Sequence, residues 1–381
     1  MNSEPVDLII YKVSQRCNLD CTYCYVFNMG DDSWLDRPAL SSKRVSAELG
    51  RKIRSHCIKH SKRDITVELH GGEPLLLGKR RFREQIAEIR LGAAPVNVSF
   101  CLQTNGLLLD QEWLELFEHE KIPFSVSLDG PPSVGDKNRI YPNSSGSTLD
   151  LLKKILQLKS ASLLYDKLCQ GYLCVIDPTS DGGEVYQWFV NSGFYKFDFL
   201  VPDGNFVESS ISAENMYLLE EFLISAFDQW YASVGEAPRV RFFEHAVSSI
   251  LGGQNTLDSF GADISSICVL ESDGELGTHD VLRICDQKNK PEPLNIFDHE
   301  LSDLQRAFDY QEVQKLASKC LNCDNLKSCG GGYLPHRFDG ESFQNPSYYC
   351  EPLNNFFDHV RRKIGSSIQS SNPATAAIST H

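Results

Sequence analysis

No run in this 381-residue chain is apolar for the roughly 18–20 residues that a membrane-spanning helix needs. The first residues, Met1 to Pro5, lack a basic segment followed by an apolar core, so no secretory signal is expected. Positive charge is scarce: 37 Lys and Arg stand against 51 Asp and Glu, for a formal net charge of −14. No basic stripe is apparent along the sequence to neutralise phosphates, so a nucleic-acid partner is not expected and a peptide or a small molecule is left. There is no internal repeat. The expected location is cytoplasmic, with no membrane partner. Hydrophobic content of 41% and charged content of 23% are those of an ordinary globular protein.

Cysteine is plentiful. In a reducing compartment its thirteen copies are not expected to form disulfides, and their clustering marks them as ligands. Three fall within eight residues at Cys17, Cys21 and Cys24, and a second group lies between Cys268 and Cys350. Cys57, Cys101, Cys169 and Cys174 stand alone and read as small buried hydrophobes.

Strand-like runs at Val6–Lys12, Ile65–His70, Asn97–Gln103, Pro123–Leu128, Gly171–Ile176 and Lys196–Val201 alternate with amphipathic stretches. The stretches are Ser42–His60, Lys79–Leu91, Gln111–His119 and Leu149–Asp166. Strand and helix in alternation predict an α/β fold with parallel pairing, and six units fit a partial, TIM-like (β/α)6 barrel. Polar and glycine-rich residues follow the first four strands in turn, so one mouth at their C-terminal ends is expected to carry the chemistry. Expected domains are the barrel over residues 1–225, bridging helices over 226–265, a Cys-rich domain over 266–365 and a disordered tail over 366–381.

The spacing C-x3-C-x2-C over residues 17–24 lets three thiolates wrap one metal centre. Soft sulfur suits an iron–sulfur cluster, and the lack of a fourth local Cys would leave one iron open to a chelating ligand. A zinc knuckle with a distant fourth ligand satisfies the same spacing. With Tyr23 before the last Cys, the segment resembles the signature of the radical S-adenosylmethionine (SAM) superfamily. That resemblance implies a [4Fe–4S] cluster on Cys17, Cys21 and Cys24, with SAM chelating its free iron. It further implies that Tyr23 lies near the adenine and that Gly71, Gly72 and Glu73 (in GGEP) border the SAM amino group. Ser127 and Arg139 would meet the SAM carboxylate, and Gln103 would face its ribose.

Cys320, Cys323, Cys329 and Cys350 offer four further thiolates, a pattern open to zinc as well as to iron–sulfur. Beside the first motif they resemble the SPASM extension, which implies an auxiliary [4Fe–4S] cluster. A full SPASM motif has another Cys where Tyr333 stands. Cys268 and Cys285 could supply two ligands of a second auxiliary cluster, with His279, Asp280 or Asp286 as substitutes, but no complete set is visible.

Three segments resemble maturases of the Xye, Grr and Fxs type, which form three-residue cyclophanes. These are SLDGPP from Ser127 with Asn138-Arg139, FLVPDG from Phe199, and CGGGYLPHRF from Cys329 with NPSYYC from Asn345. The resemblance implies an enzyme that joins an aromatic ring to a nearby Cβ in a leader-bearing precursor peptide. A flavodoxin- or ferredoxin-type protein would supply electrons. Asp203 is the candidate base, and leader recognition is expected on the existing surface or on another protein. The rivals are a thioether-forming maturase or a sulfatase-type formylglycine generator, and, in another class, a zinc-stabilised binding protein without turnover.

Overall fold

The structure is a computed structural model that describes residues 5–233, 235, 238–285 and 293–370. Its centre is one sheet of nine strands in the order β6-β5-β4-β3-β2-β1-β7-β8-β9. The strands are β1 (Leu8–Ser14), β2 (Asp64–Gly71), β3 (Asn97–Thr104), β4 (Phe124–Ser127), β5 (Cys169–Val175), β6 (Phe197–Leu200), β7 (Ile267–Leu270), β8 (Glu275–Gly277) and β9 (Leu294–Asn295). β1 to β6 pair in parallel with their sequence neighbours, as the alternating pattern predicts. β1 is buried on both faces apart from Leu8, as a central parallel strand must be.

Helices α1 (Lys43–Lys59), α2 (Lys79–Ala93) and α3 (Gln111–Glu120) form the first crossovers. Ser42 caps α1 by accepting from the Val45 N–H, and Asp110 caps α3 by accepting from Trp113. The stretch expected to run from Leu149 to Asp166 is broken into helices Thr148–Ala161 and Leu164–Leu168. Helix Gly182–Asn191 was not anticipated, because two glycines open it and disguise its start. Packing requires the first of them: a Cβ on Gly182 would sit 2.0 Å from the Phe222 carbonyl oxygen.

The chain after residue 266 does not stand apart from the barrel. β7 pairs in parallel with β1, and β8 and β9 continue the sheet antiparallel. The expected boundary at 266 therefore separates hydrogen-bonded strands, and helix Met216–Ala232 spans the one at 225. β7 to β9 are short and, among the described residues, no helical crossover separates them, so the strand–helix alternation that marks β1 to β6 does not extend to them. The expected disorder of 366–381 is corrected in part: helix Cys350–Ser370 carries five of those residues, and the remainder lie outside the described ones. Among the described residues, no helix is long and apolar enough to cross a membrane.

Candidate functional site

Beyond the C-terminal ends of the strands lies a cavity of about 350 Å3. Cys17, Cys21, Cys24, Tyr23, Gly71, Gly72, Gln103, Ser127, Arg139 and Asp203 all line it, although they come from loops up to 186 positions apart in sequence. Glu73, the remaining candidate, sits behind the wall. Its buried carboxylate accepts from the Leu75 N–H (3.0 Å), the Thr104 hydroxyl (2.7 Å) and the Asn105 N–H (2.8 Å), bracing the end of β2 against that of β3.

The two glycines serve the loop itself. A Cβ on Gly72 would lie 2.4 Å from the Arg16 carbonyl oxygen and 2.7 Å from the Phe27 ring, and one on Gly71 would lie 2.1 Å from the Ser14 carbonyl oxygen. Gly71 also has a φ of +135°, which L side chains rarely adopt. Their smallness lets the end of β2 close onto the cysteine-bearing loop.

Burial pushes the Cys17 thiol up to about 12, and the charge of Glu73 pushes the same way. Burial raises Cys21 to about 11, opposed by Arg139. Three thiols on one loop that resist ionisation need a compensating cation before they become thiolates, and a bound metal centre supplies one. This donor set fits an iron–sulfur cluster on chemical grounds. Among the described residues, no three His, Cys, Asp or Glu side chains are gathered to hold a single metal ion. Asn105, in the polar segment just after β3, donates to Asn18 Oδ1 (2.8 Å) and approaches Cys17 Sγ at 3.8 Å.

Tyr23, Asp129 and Arg139 form a linked trio. The Tyr23 hydroxyl donates to Asp129 Oδ2 (2.5 Å) and accepts from the Arg139 guanidinium (2.8 Å), while the Val175 N–H donates to Asp129 Oδ1 (3.1 Å). Arg139 is buried, not a surface arginine. Gln103 donates to the Ser127 hydroxyl at 2.8 Å.

A second polar group was not foreseen. Lys12, buried on β1, donates to Asp280 Oδ2 (2.7 Å), the Tyr25 hydroxyl (3.0 Å) and His70 Nδ1 (3.2 Å). Tyr25 donates to the same Asp280 oxygen. Burial disfavours the Asp280 carboxylate, but Lys12 and His279 outweigh it and hold the group well below the usual range. Burial and Lys12 push His70 down to about 3. Its Nδ1 also accepts from the Gly71 N–H (2.8 Å), so the neutral ring carries its proton on Nε2. A lysine inside a strand that otherwise reads as apolar was the available signal. Asp203, just past β6, lies 3.9 Å from His336 Nε2 and is 23% exposed.

Cys320, Cys323, Cys329 and Cys350 line a separate cavity of about 400 Å3. Burial raises the Cys329 thiol to about 12, and neighbouring thiols of the same group push it further. Gly330 ends helix Leu326–Cys329 in the left-handed region (φ +62°), where a Cβ would meet the Phe260 carbonyl oxygen at 2.0 Å. Cys268 and Cys285 do not join these thiols. Cys268 belongs to the main core, with its thiol toward the Val269 carbonyl (3.6 Å). Cys285 lies in a second apolar cluster with Met29, Tyr333 and Phe338, with its thiol toward the Pro335 carbonyl (3.7 Å). Asp286 lies outside the described residues. Cys57, Cys169 and Cys174 are buried as expected, and Cys101 is half-buried.

Residues 11–164 match the family model of the Radical SAM superfamily. The chain is 24% identical over 375 residues to a cysteine-type anaerobic sulfatase-maturating enzyme of Clostridium novyi, covering 94% of this chain and 96% of that one. To a serine-type anaerobic sulfatase-maturating enzyme of Bacteroides thetaiotaomicron it is 24% identical over 389 residues, covering 94% and 90%. The solved structure of native anSMEcpe with bound AdoMet superposes with a TM-score of 0.79 at 22% identity, over 95% of this chain and 99% of that one. Streptococcus suis SuiB bound to precursor peptide SuiA gives 0.57 at 15% identity, over 92% and 76%. The fold and the cysteine loop define a radical SAM domain with a Cys-rich C-terminal region. The chain is an enzyme, and its residues 11–164 are similar to the Radical SAM superfamily.

Proposed function

We propose that this enzyme matures a ribosomally made precursor peptide by joining an aromatic ring to the Cβ of a nearby residue. The observation that carries the proposal is the single cavity at the strand ends, where three thiols, a buried arginine and the Asp203 carboxylate meet. Fold neighbours support a peptide substrate: anSMEcpe has been solved with a bound Cp18Cys peptide and SuiB with its precursor peptide. The cyclophane outcome rests on the three short segments named above.

In this proposal Cys17, Cys21 and Cys24 hold a [4Fe–4S] cluster, and Cys320, Cys323, Cys329 and Cys350 hold an auxiliary one. When bound, the first cluster with SAM supplies a 5′-deoxyadenosyl radical for hydrogen abstraction, and the second takes up an electron. Arg139 orients the SAM carboxylate through its planar fork, fixed in place by the Tyr23 hydroxyl. Gln103 and Ser127 present a linked amide and hydroxyl to the ribose and carboxylate. Gly71 and Gly72 hold the loop closed over the site, and the apolar wall, including Leu173, Phe199 and Leu200, excludes water. Ring closure followed by rearomatisation releases one electron and one proton. Asp203 receives the proton: it lines the cavity, whereas Asp280 is held ionised by Lys12 and serves to position Tyr25.

The sulfatase-maturating relatives favour a second reading, generation of formylglycine on a protein Cys or Ser. Coexpression with the product of a neighbouring small reading frame, followed by tandem mass spectrometry, separates the two. A ring–Cβ bond supports the proposal, and an aldehyde trapped by hydrazine supports the second reading. Asp203→Asn is expected to retain SAM cleavage and lose crosslinked product; normal product would remove Asp203 from the mechanism.

A further inference from the structure

The surface built by α1 and α2 differs in charge from the rest of the molecule. The two helices carry eleven basic side chains and three acidic ones, in a chain whose net charge is −14. They pack closely enough to form one face, since a Cβ on Gly50 would lie 2.5 Å from the Ile89 carbonyl oxygen. Arg44, Arg54, Arg80, Arg81 and Arg83 are exposed, and among the described residues Arg54, Arg81 and Arg83 have no ion pair.

Helix stability does not explain this placement. The helix macrodipole favours anions in the first turn, yet neither helix has an acidic residue there. α2 instead opens with Lys79, Arg80 and Arg81 after Gly78, which makes no side-chain cap. Lys79 is paired with Asp110 and Glu112, and Arg80 with Glu84, but Arg81 and Arg83 stay open to an anionic partner approaching from outside. The location is equally specific. Both helices begin at the strand ends that carry the cysteine loop: α1 starts after Ser42, and Gln85 of α2 donates to the Ser41 carbonyl at 2.8 Å.

We propose that the α1–α2 face docks a small acidic one-electron carrier protein of the flavodoxin type. This rests on the reading that Cys17, Cys21 and Cys24 hold a reducible cluster. One electron leaves the carrier's reduced flavin and one reaches the metal centre, and no bond is made or broken. Complementary charge raises the encounter rate and sets the orientation, so the transfer weakens with ionic strength.

The test uses the anaerobically reconstituted full chain carrying Arg80→Glu, Arg81→Glu and Arg83→Glu together. Driven by flavodoxin and its NADPH-dependent reductase at low salt, deoxyadenosine formation is expected to fall about tenfold or more, and the gap to narrow as salt is added. Flavodoxin affinity by titration calorimetry should fall in parallel, while the dithionite-driven rate stays unchanged. The milder pair Arg81→Gln and Arg83→Gln should lie between. Unchanged flavodoxin affinity and rate would overturn the proposal, as would loss of precursor-peptide binding with flavodoxin binding intact. Failure of the unaltered protein to form deoxyadenosine with dithionite would instead defeat the underlying cluster reading.

Discussion

Lys12 Nζ lies 2.7 Å from Asp280 Oδ2 inside the barrel, joining the first strand to a turn 268 residues later. Both side chains are buried, so removing one leaves the other uncompensated. Lys12→Met is expected to cost about 3–5 kcal/mol of stability, measured by denaturant unfolding. The double variant with Asp280→Asn should recover part of that loss. Because the folded-state pKa of Asp280 is depressed, its contribution is present above the unfolded value near 3.9 and fades as pH falls below it. Between pH 5 and 8 the contribution of this pair should not change with pH.

Glu68 has the opposite sign. Burial, helped by Asp280, raises its carboxyl to about 7. A raised acid favours folding while protonated, so its contribution declines as pH rises from the unfolded value near 4.5 through 7. Glu68→Gln is expected to flatten the melting temperature against pH across that window and to stabilise the protein at pH 8 by roughly 1–2 kcal/mol. An unaltered pH profile would exclude Glu68 as its source.

Iron content separates the cysteine groups. The reconstituted protein should bind about eight iron atoms, four for each [4Fe–4S] cluster. Replacing Cys17, Cys21 and Cys24 with Ala should remove half and abolish deoxyadenosine. Replacing the C-terminal four should remove the other half and spare SAM cleavage. Cys268→Ser with Cys285→Ser should leave iron unchanged, because those thiols lie in separate apolar clusters.

Gly72→Ala tests the closure of the cysteine loop. The added methyl would meet the Arg16 carbonyl oxygen and the Phe27 ring at once. The expected result is a loss of stability of about 1–3 kcal/mol together with lower iron loading, followed by thermal melting and iron assay. Gly78→Ala makes a useful comparison, since nothing lies within 4 Å of its added methyl and only its positive φ is strained.

The parallel strands and first three crossovers were legible because apolar runs alternate regularly with amphipathic stretches along the first part of the chain, and the cysteines because their spacing is local. The Lys12–Tyr25–Asp280 group was not legible, since its members are up to 268 positions apart and none forms a motif. The same holds for β7. No strand–helix alternation leads into it, and its partner, the first strand, lies more than 250 residues earlier.

Composition and local spacing by themselves determined the α/β alternation, the two thiol groups and the strand ends on which polar loops would fall, because each depends on neighbours along the chain. Tertiary structure alone decided that Glu73 braces two strands, that Cys268 and Cys285 are separated in the core, and that Arg139 is buried beside Tyr23. Those outcomes depend on packing between distant segments, where steric fit and the cost of burying charge select one arrangement.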